Sequence, residues 1–376
     1  MANTIQNNRS SVDFGFHLPP PADGANKEVL SASQILLERK RSSIMERKDK
    51  IVKAENIITD WRKEVVEKVG EANLKKFHEY SKNQRRSNFG IKELSHDPDA
   101  LAKLTLAKRK ARENSNDLLK NAKLEPGGLK NIHRRYAKKL DDLFAPKEPK
   151  TSRLEMLPES KVPKGVLEGK SNPWTTKRPP YDGWAWSYSW SRWGGHDPDL
   201  VSYLNAGTGS VGHRSEYQNY DAGDFDGLWL EYDTSVGVWY WPPHAGPVDI
   251  WIKARCVKGR YSVWLDDEWG WSDSSTWMRS NITVNVSPSI VDEDRAESWW
   301  SHTWGNPDST TYGSDVIAPN SVLWFHLVTS DPIPSGAWTH IKVGTYDRHT
   351  SVLNDVSTDA VMRDWWYIEE IWMDVH

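Results

Sequence analysis

Aromatic and small residues alternate in the stretch GWAWSYSWSRWGG (183–195). Trp184, Trp186, Tyr188 and Trp190 recur there at a strict two-residue spacing. Because successive side chains of an extended strand point to opposite faces, this spacing predicts a strand with one aromatic face. The rings of that face either fill a core or meet something outside the chain, such as a sugar, a lipid or another subunit.

Short β-rich runs continue from this stretch to the C-terminus, separated by turns rich in Gly, Asp, Asn, Pro and Ser. No long amphipathic helical pattern interrupts them. This organisation predicts an antiparallel β-sandwich of the jelly-roll-like kind. The candidate strands are 184–190, 228–234, 237–241, 247–257, 260–266, 281–287, 321–329, 338–346 and 365–374.

From Leu30 onward, apolar residues recur every seven positions, and no Pro or Gly interrupts this span until Gly70. A seven-residue repeat favours a long helix that supercoils with a neighbour, so we predict a coiled-coil-like helix. The second apolar position of each heptad is mostly polar. A weak oligomer seam, a helix packed in a larger assembly and a solvated single helix therefore remain alternatives. The predicted oligomerisation residues are Leu30, Leu37, Ile44, Ile51, Ile58 and Val65.

Charge and tryptophan content divide the chain into two unlike halves. Residues 1–178 contain 38 Lys/Arg and 24 Asp/Glu, whereas residues 179–376 contain 11 and 28. Of the 22 tryptophans, 21 lie at or after Trp174. This division predicts separate domains and a segregated α+β fold class. The predicted parts are a flexible arm (1–27), a basic helical region (28–144), a Pro-rich linker (145–182) and an acidic Trp-rich β-sandwich domain (183–376).

Several tryptophans fall on strand faces that are otherwise polar. In the strand 247–257 the aliphatic residues share one face, which places Trp251 on the other face beside Asp249 and Lys253. Clustered rings in polar surroundings mark interfaces or ligand platforms, although such rings also cover sheets or pair across strands. The candidate binding residues are Trp184, Trp186, Tyr188, Trp190, Trp251, Trp264 and Trp338.

One acidic loop has the composition of a calcium site. The stretch DAGDFDG (221–227) places Asp221, Asp224 and Asp226 close together before a glycine. Carboxylate-rich loops can bind Ca²⁺, but the spacing differs from that of an EF-hand, and Asp-Gly turns commonly join strands. Ca²⁺ is the one cofactor that the sequence suggests, and an ordinary turn is the alternative.

A second acidic loop bears on enzymatic activity. Asp266 and Glu268 in LDDEWGWSD (265–273) could serve as the carboxylate pair of a glycoside hydrolase, or could lie in a solvated loop. The chain contains no GxSxG or P-loop motif. We therefore predict no catalytic residues and expect a protein that is not an enzyme.

The sequence also restricts partners and location. Basic clusters at 108–112 and 133–139 lack a nucleic-acid-binding motif, so solvated helix faces or contacts with another copy are favoured. No apolar run is long enough for a membrane-spanning helix, and the N-terminus lacks the pattern of a signal peptide. The expectation is synthesis in the cytoplasm, followed by incorporation into a particle or export by a dedicated system.

These features favour a non-enzymatic structural protein. Its helical region would dock or oligomerise and would display the Trp-rich domain, as in a virion, tail or appendage component. The expected partner is another copy of the chain or a larger protein assembly. The alternatives are a carbohydrate-binding adhesin or lectin, a membrane-acting toxin and a glycoside hydrolase.

Overall fold

The structure is a computed structural model that describes the chain in separate stretches. Side chains are described for fewer residues than backbone, beginning at Met45. The predicted arm lies outside the described residues, apart from Lys27. The described residues are 27–76, 106, 109, 110, 113, 117, 120, 126–144, 152–170, 173–181, 185–192, 198–219, 225–267, 274–287, 292–305, 310–336, 338–354 and 356–376.

Helices and strands occupy different parts of the described chain, apart from two short helices among the strands. The helices include α1 (Lys27–Val69), α2 (Pro126–Phe144), α3 (Lys164–Leu167) and a 3₁₀ helix (Glu159–Lys161), and residues 71–76 are also helical. The strands are β1 (Glu155–Leu157), β2 (Thr175–Lys177), β3 (Ala185–Arg192), β4 (Asp199–Ser202), β5 (Ser210–Asn219), β6 (Phe225–Tyr240), β7 (Val248–Asp267), β8 (Ser274–Ser287), β9 (Asp292–Gly305), β10 (Thr310–Ile317), β11 (Val322–Val328), β12 (Thr339–Asn354) and β13 (Val356–Val375). The predicted segregation of helices and strands is therefore confirmed in part.

The first two long helices pack against each other through apolar faces. Helix α1 ends where Gly70 adopts a φ of 79°, a left-handed conformation that glycine accommodates without a Cβ penalty. The fully buried Trp61 donates from Nε1 to His133 Nδ1 of α2 at 3.2 Å. Among the described residues, no helix has the length and apolar character needed to cross a membrane.

The strands form two antiparallel sheets that pack face to face, which confirms the predicted β-sandwich. Sheet A has the strand order β1-β11-β7-β13-β5-β4, with β10 also paired to β7 and β2 to β13. Sheet B has the order β3-β6-β12-β8-β9. Alternate residues of each strand point into the sandwich. On β7 the inward residues are Val248, Ile250, Ile252, Ala254 and Cys256, all fully buried as their shared face predicts.

The described part of the predicted linker packs on the outer face of sheet A. Strand β1 pairs with β11, and β2 pairs with β13. Val162, Val166 and Trp174 lie between the prolines and pack against tryptophans of sheet A. Burial of these apolar residues explains the arrangement. It removes apolar surface from water, which stabilises the packed segment by roughly 25 cal/mol per Å² of buried apolar area.

Helices α1 and α2 dock on the outer face of sheet B. Phe144 of α2 contacts Trp229 of β6 edge to face, with ring centroids 5.4 Å apart, and Val352 of β12 joins the same apolar cluster. Asp141 of α2 accepts hydrogen bonds from Ser275 Oγ and, at 2.7 Å, from Trp277 Nε1 of β8. The helices therefore cover one end of this face.

Candidate functional site

The aromatic strand that alternates so strictly in the sequence is β3, at the edge of sheet B. Trp184 lies outside the described residues, as do the side chains of the three other aromatic residues. Their partner positions on β6 alternate with the residues that fill the sandwich core. The register pairs Trp186 with Ser235, Tyr188 with Asp233 and Trp190 with Glu231. The backbone register thus aligns the aromatic positions with the outer face of sheet B.

Neither of the two candidate binding tryptophans of β7 is an exposed side chain. Trp251 is only 4% exposed, stacks on His326 at a centroid distance of 4.2 Å, and belongs to a buried cluster with three other tryptophans. Val162, Val166 and Trp174 of this cluster come from the segment predicted as a linker, which the strand pattern alone could not place. Trp264 is half-buried and pairs in register with Asp359 of β13.

Trp338, by contrast, forms part of an exposed aromatic group at the end of sheet B. Trp338 is 53% exposed and Trp241 is 50% exposed. Their rings meet edge to face, with centroids 5.0 Å apart and planes at 68°. Trp239 packs against Trp338 at 6.4 Å and 83°. We call Trp239, Trp241, Trp338 and His340 the tryptophan platform.

The platform is held in place by packing on the sheet. Trp239 of β6 stacks on His340, its partner on β12, at 4.7 Å and 27°. His340 is buried and lies against Gly237, where an added Cβ would come within 2.2 Å of Nε2. Glycine therefore permits the close approach that fixes the imidazole, and the imidazole in turn supports Trp239. Such support pre-organises the rings.

Polar side chains accompany the platform on the same outer face. Lys342 follows His340 by two residues on β12, so it shares that face, and it pairs in register with Asn285 of β8. Both residues are half-buried. Apolar ring faces beside hydrogen-bonding groups are the combination that an amphipathic ligand requires.

A second aromatic group lies next to the docked helices. Trp277 stacks almost parallel to His302, with centroids 3.6 Å apart, and lies 6.2 Å from Trp300. Trp300 is 52% exposed, but Trp277 is tied to Asp141 of α2 through Nε1. This group offers one exposed indole and serves the helix contact, so it is the weaker candidate.

A polar network lies inside the sandwich, beside the apolar core. His213 Nδ1 lies 2.8 Å from Asp347 Oδ2, and Ser215 Oγ lies 3.3 Å from His349 Nδ1. Asp364 accepts hydrogen bonds from Ser280 Oγ and from the indoles of Trp299 and Trp366. Those three donors lie 2.8, 2.7 and 2.9 Å from the carboxylate oxygens.

Burial displaces the protonation equilibria of this network. Desolvation lowers the pKa of His213 to about 4, and desolvation with repulsion from His213 lowers that of His349 to about 3. Desolvation also raises the pKa of Asp347 and of Asp364 well above the usual range of an aspartate, and Asp347 raises that of Asp364 further. Both imidazoles are thus neutral at pH 7.

The network contains Ser, His and Asp but is not accessible to a substrate. The side chains of His213 and Asp347 are at most 1% exposed, and those of His349 and Asp364 are equally buried. A general base must reach the proton that it abstracts, directly or through one water. We interpret the network as a structural part of the sandwich.

The other predicted sites fall largely outside the described residues. Asp221 and Asp224 lie there, as do the side chains of Asp226 and Asp266 and the whole of Glu268. Among the residues that the structure describes, no group of three or more His, Cys, Asp or Glu side chains is placed to hold a metal ion.

The predicted oligomerisation residues can be followed from Ile51 onward. The side chains of Leu30, Leu37 and Ile44 lie outside the described residues. Ile51 and Val65 are buried against α2 of the same chain, and Ile58 packs partly buried beside them. The described part of the heptad face is therefore covered within one chain.

Comparison with known proteins gives only distant structural similarity. No protein-family model matches the chain, and no curated protein matches it. The chain is similar to the structure of TmCBM61 in complex with beta-1,4-galactotriose, at 12% identity and a TM-score of 0.15, over 57% of this chain and 97% of that one. It is also similar to the enzymatically active domain of tailspike protein 4 from bacteriophage CBA120, at 10% identity and a TM-score of 0.16, over 52% of this chain and 20% of that one.

Proposed function

We propose that this chain is a non-enzymatic carbohydrate-binding protein that holds glycans on the tryptophan platform. The observation that carries the proposal is the pair of half-exposed indoles of Trp241 and Trp338, held edge to face beside Trp239. A sugar ring has an apolar face that stacks on an indole and hydroxyl groups that bind polar neighbours. Lys342 and Asn285 supply such neighbours on the same face.

The small size of the platform favours a glycan over a membrane or a subunit contact. Among the described residues, the exposed large apolar side chains at this end of sheet B are Trp241 and Trp338. Interfaces and membrane-binding surfaces use larger contiguous apolar patches, of several hundred Å². Two indoles edged by polar side chains instead match the area of one or two sugar rings.

The proposal predicts that glycan binding depends on both exposed indoles. Trp241→Ala and Trp338→Ala should each weaken binding at least about tenfold, because each removes a stacking surface worth roughly 1.4 kcal/mol or more. A glycan array with the full chain would identify ligands. Isothermal titration with the strongest of them would then measure the dissociation constants.

Trp300→Ala is the matched control, since Trp300 is equally exposed and lies away from the platform. Its affinity should equal that of the unaltered protein. The proposal is contradicted if no glycan on the array binds. It is also contradicted if the two platform variants bind as tightly as Trp300→Ala.

Assembly through the helical region is a second candidate function. Met45 and Val52 are 64% and 52% exposed on α1 and lie seven residues apart, so they form an uncovered apolar stripe beside the heptad face. The unequal charge of the two halves of the sequence also favours contacts between copies. Assembly through α1 and glycan binding on the platform use separate surfaces, so the two functions are compatible.

A further inference from the structure

A crevice separates the segment 159–169 from the outer face of sheet A. Its volume is about 290 Å³. Trp324 of β11 and Trp372 of β13 line it from the sheet, and Leu167 of α3 lines it from the segment. Leu167 is 43% exposed, so it lies at the rim. The crevice is on the opposite sheet from the tryptophan platform and shares no residue with it.

Ionised side chains line the same crevice in a fixed arrangement. Arg178 Nε lies 3.2 Å from Glu370 Oε1, while Trp372 Nε1 donates to Glu370 Oε2 at 2.8 Å. Both carboxylate oxygens of Glu370 are therefore engaged. A guanidinium has five N–H donors, and this ion pair uses one nitrogen. Lys253 is 3.6 Å from Glu369 and 5.8 Å from the centre of the Trp324 ring.

The charge of the lining indicates what kind of ligand it suits. Arg178 and Lys253 are cations, whereas Glu159 and Glu370 are anions, so the lining is neutral as a whole. A charged ligand would bring a net charge that nothing in the lining balances. Hydroxyl groups both donate and accept, so they match a rim that offers donors and acceptors together.

We infer that the crevice is a second saccharide site that takes one neutral sugar ring. Its volume is at the lower end of the ~300–1,000 Å³ typical of ligand pockets, which suits a single ring rather than a chain. Val322, which is 37% exposed, and the narrow exposed edges of the buried Trp324 and Trp372 provide the apolar contact, and Arg178 with Lys253 provides donors for hydroxyl oxygens. The inference rests on the proposed function, because it assigns the same class of ligand to a separate place.

The test uses monosaccharides, which are small enough for the crevice. Saturation-transfer NMR on the full chain would use the methyl glycosides of glucose, galactose, mannose and N-acetylglucosamine. At least one should give a signal. Leu167→Trp, which fills the mouth, and Arg178→Ala, which removes the donors, should each reduce the affinity for it at least tenfold. Leu167→Ala, which leaves the mouth open, is the matched control and should retain the signal.

The platform variants separate this inference from the proposed function. The monosaccharide signal should persist in the double variant Trp241→Ala/Trp338→Ala, even where oligosaccharide binding is lost. The inference is overturned if no methyl glycoside gives a signal, or if Leu167→Trp and Arg178→Ala both bind like Leu167→Ala. A signal that disappears only in the platform variant would overturn it and would support the platform alone.

Discussion

At the scale of single residues, strand alternation carries information even where the residue type misleads. Ile341 and Val343 predict the inner face of β12, and both are buried in the core. The same alternation continues inward through Asp347 and His349, although their polarity taken alone would favour the surface. Residue type did not reveal their burial because their polar partners, such as His213, come from distant strands.

The buried network predicts an altered pH dependence for the variant Asp347→Asn. Between pH 6.5 and about 4, the lowered pKa of His213 and of His349 makes stability fall as the pH falls, by up to about 1.4 kcal/mol per pH unit for each histidine. The raised pKa of Asp347 and of Asp364 acts oppositely, since its stabilisation is complete below the usual aspartate pKa and is lost as the pH rises.

The two opposed effects should largely cancel in the unaltered protein. Asp347→Asn removes one carboxyl and relieves its repulsion of Asp364, so the free energy of unfolding should rise more steeply with pH, by up to about 1.4 kcal/mol per unit. Urea unfolding at pH 4.5, 5.5 and 6.5 measures the slope. Asp315→Asn, in a half-exposed ion pair with Arg260, is the control and should run parallel to the unaltered protein. Parallel curves for Asp347→Asn would disprove the compensation.

At the scale of elements, periodicity located strands better than turns. The nine candidate runs fall in seven strands, because β6 and β7 each continue through a position predicted as a turn. Gly259 was expected in a turn, but it lies within β7, opposite Asp364. The register of β7 against β13 shifts near Cys256, and a shift of this kind bends a strand. β5 and β9 were not predicted, since their many polar residues hide the alternation. Helix α2 (Pro126–Phe144) ends where the predicted basic helical region (28–144) ends.

Helix α2 provides a prediction about docking. Asp141→Ala should lower the free energy of unfolding by about 1–3 kcal/mol, because Ser275 Oγ and Trp277 Nε1 would lose their acceptor in a half-buried place. Hydrogen exchange of the α2 amides should quicken as the helix loosens from sheet B. Chemical unfolding and hydrogen-exchange mass spectrometry measure the two effects.

The neighbouring residue gives a matched control for this docking contact. Asp142 is largely exposed and pairs with Lys138 at 3.3 Å, so Asp142→Ala should change stability by less than about 0.5 kcal/mol. Equal effects of the two substitutions would show that Asp141 contributes nothing specific to docking.

At the scale of the whole molecule, the unequal charge of the two halves was evident from the sequence, but the way in which they meet was not. Trp229 and Val352 resemble ordinary strand residues, yet they form the surface on which α1 and α2 rest. The candidate site was partly foreseen. The strand pattern of the sequence points to Trp338, but it does not point to Trp239, Trp241 and His340, because their clustering depends on the pairing of β6 with β12.

The assembly hypothesis predicts a salt-dependent size. If oppositely charged regions of separate copies attract, light scattering should give a mass above 43.1 kDa at low ionic strength and a smaller mass at high ionic strength. The double variant Met45→Gln/Val52→Gln should reduce the mass at low salt, whereas Val322→Gln on the sandwich should not. A monomer at every salt concentration would refute assembly through either feature.

The register of β12 has a consequence for where the tryptophan platform lies relative to the helices. The platform lies at the first residues of this strand, beside His340, and the helices rest near its end, beside Val352. At roughly 3.4 Å per residue, the two places are about 40 Å apart. The outer face of sheet B thus carries the helices at one end and the tryptophan platform at the other. A copy immobilised through its helices would hold its indoles outward, where a large polysaccharide could reach them.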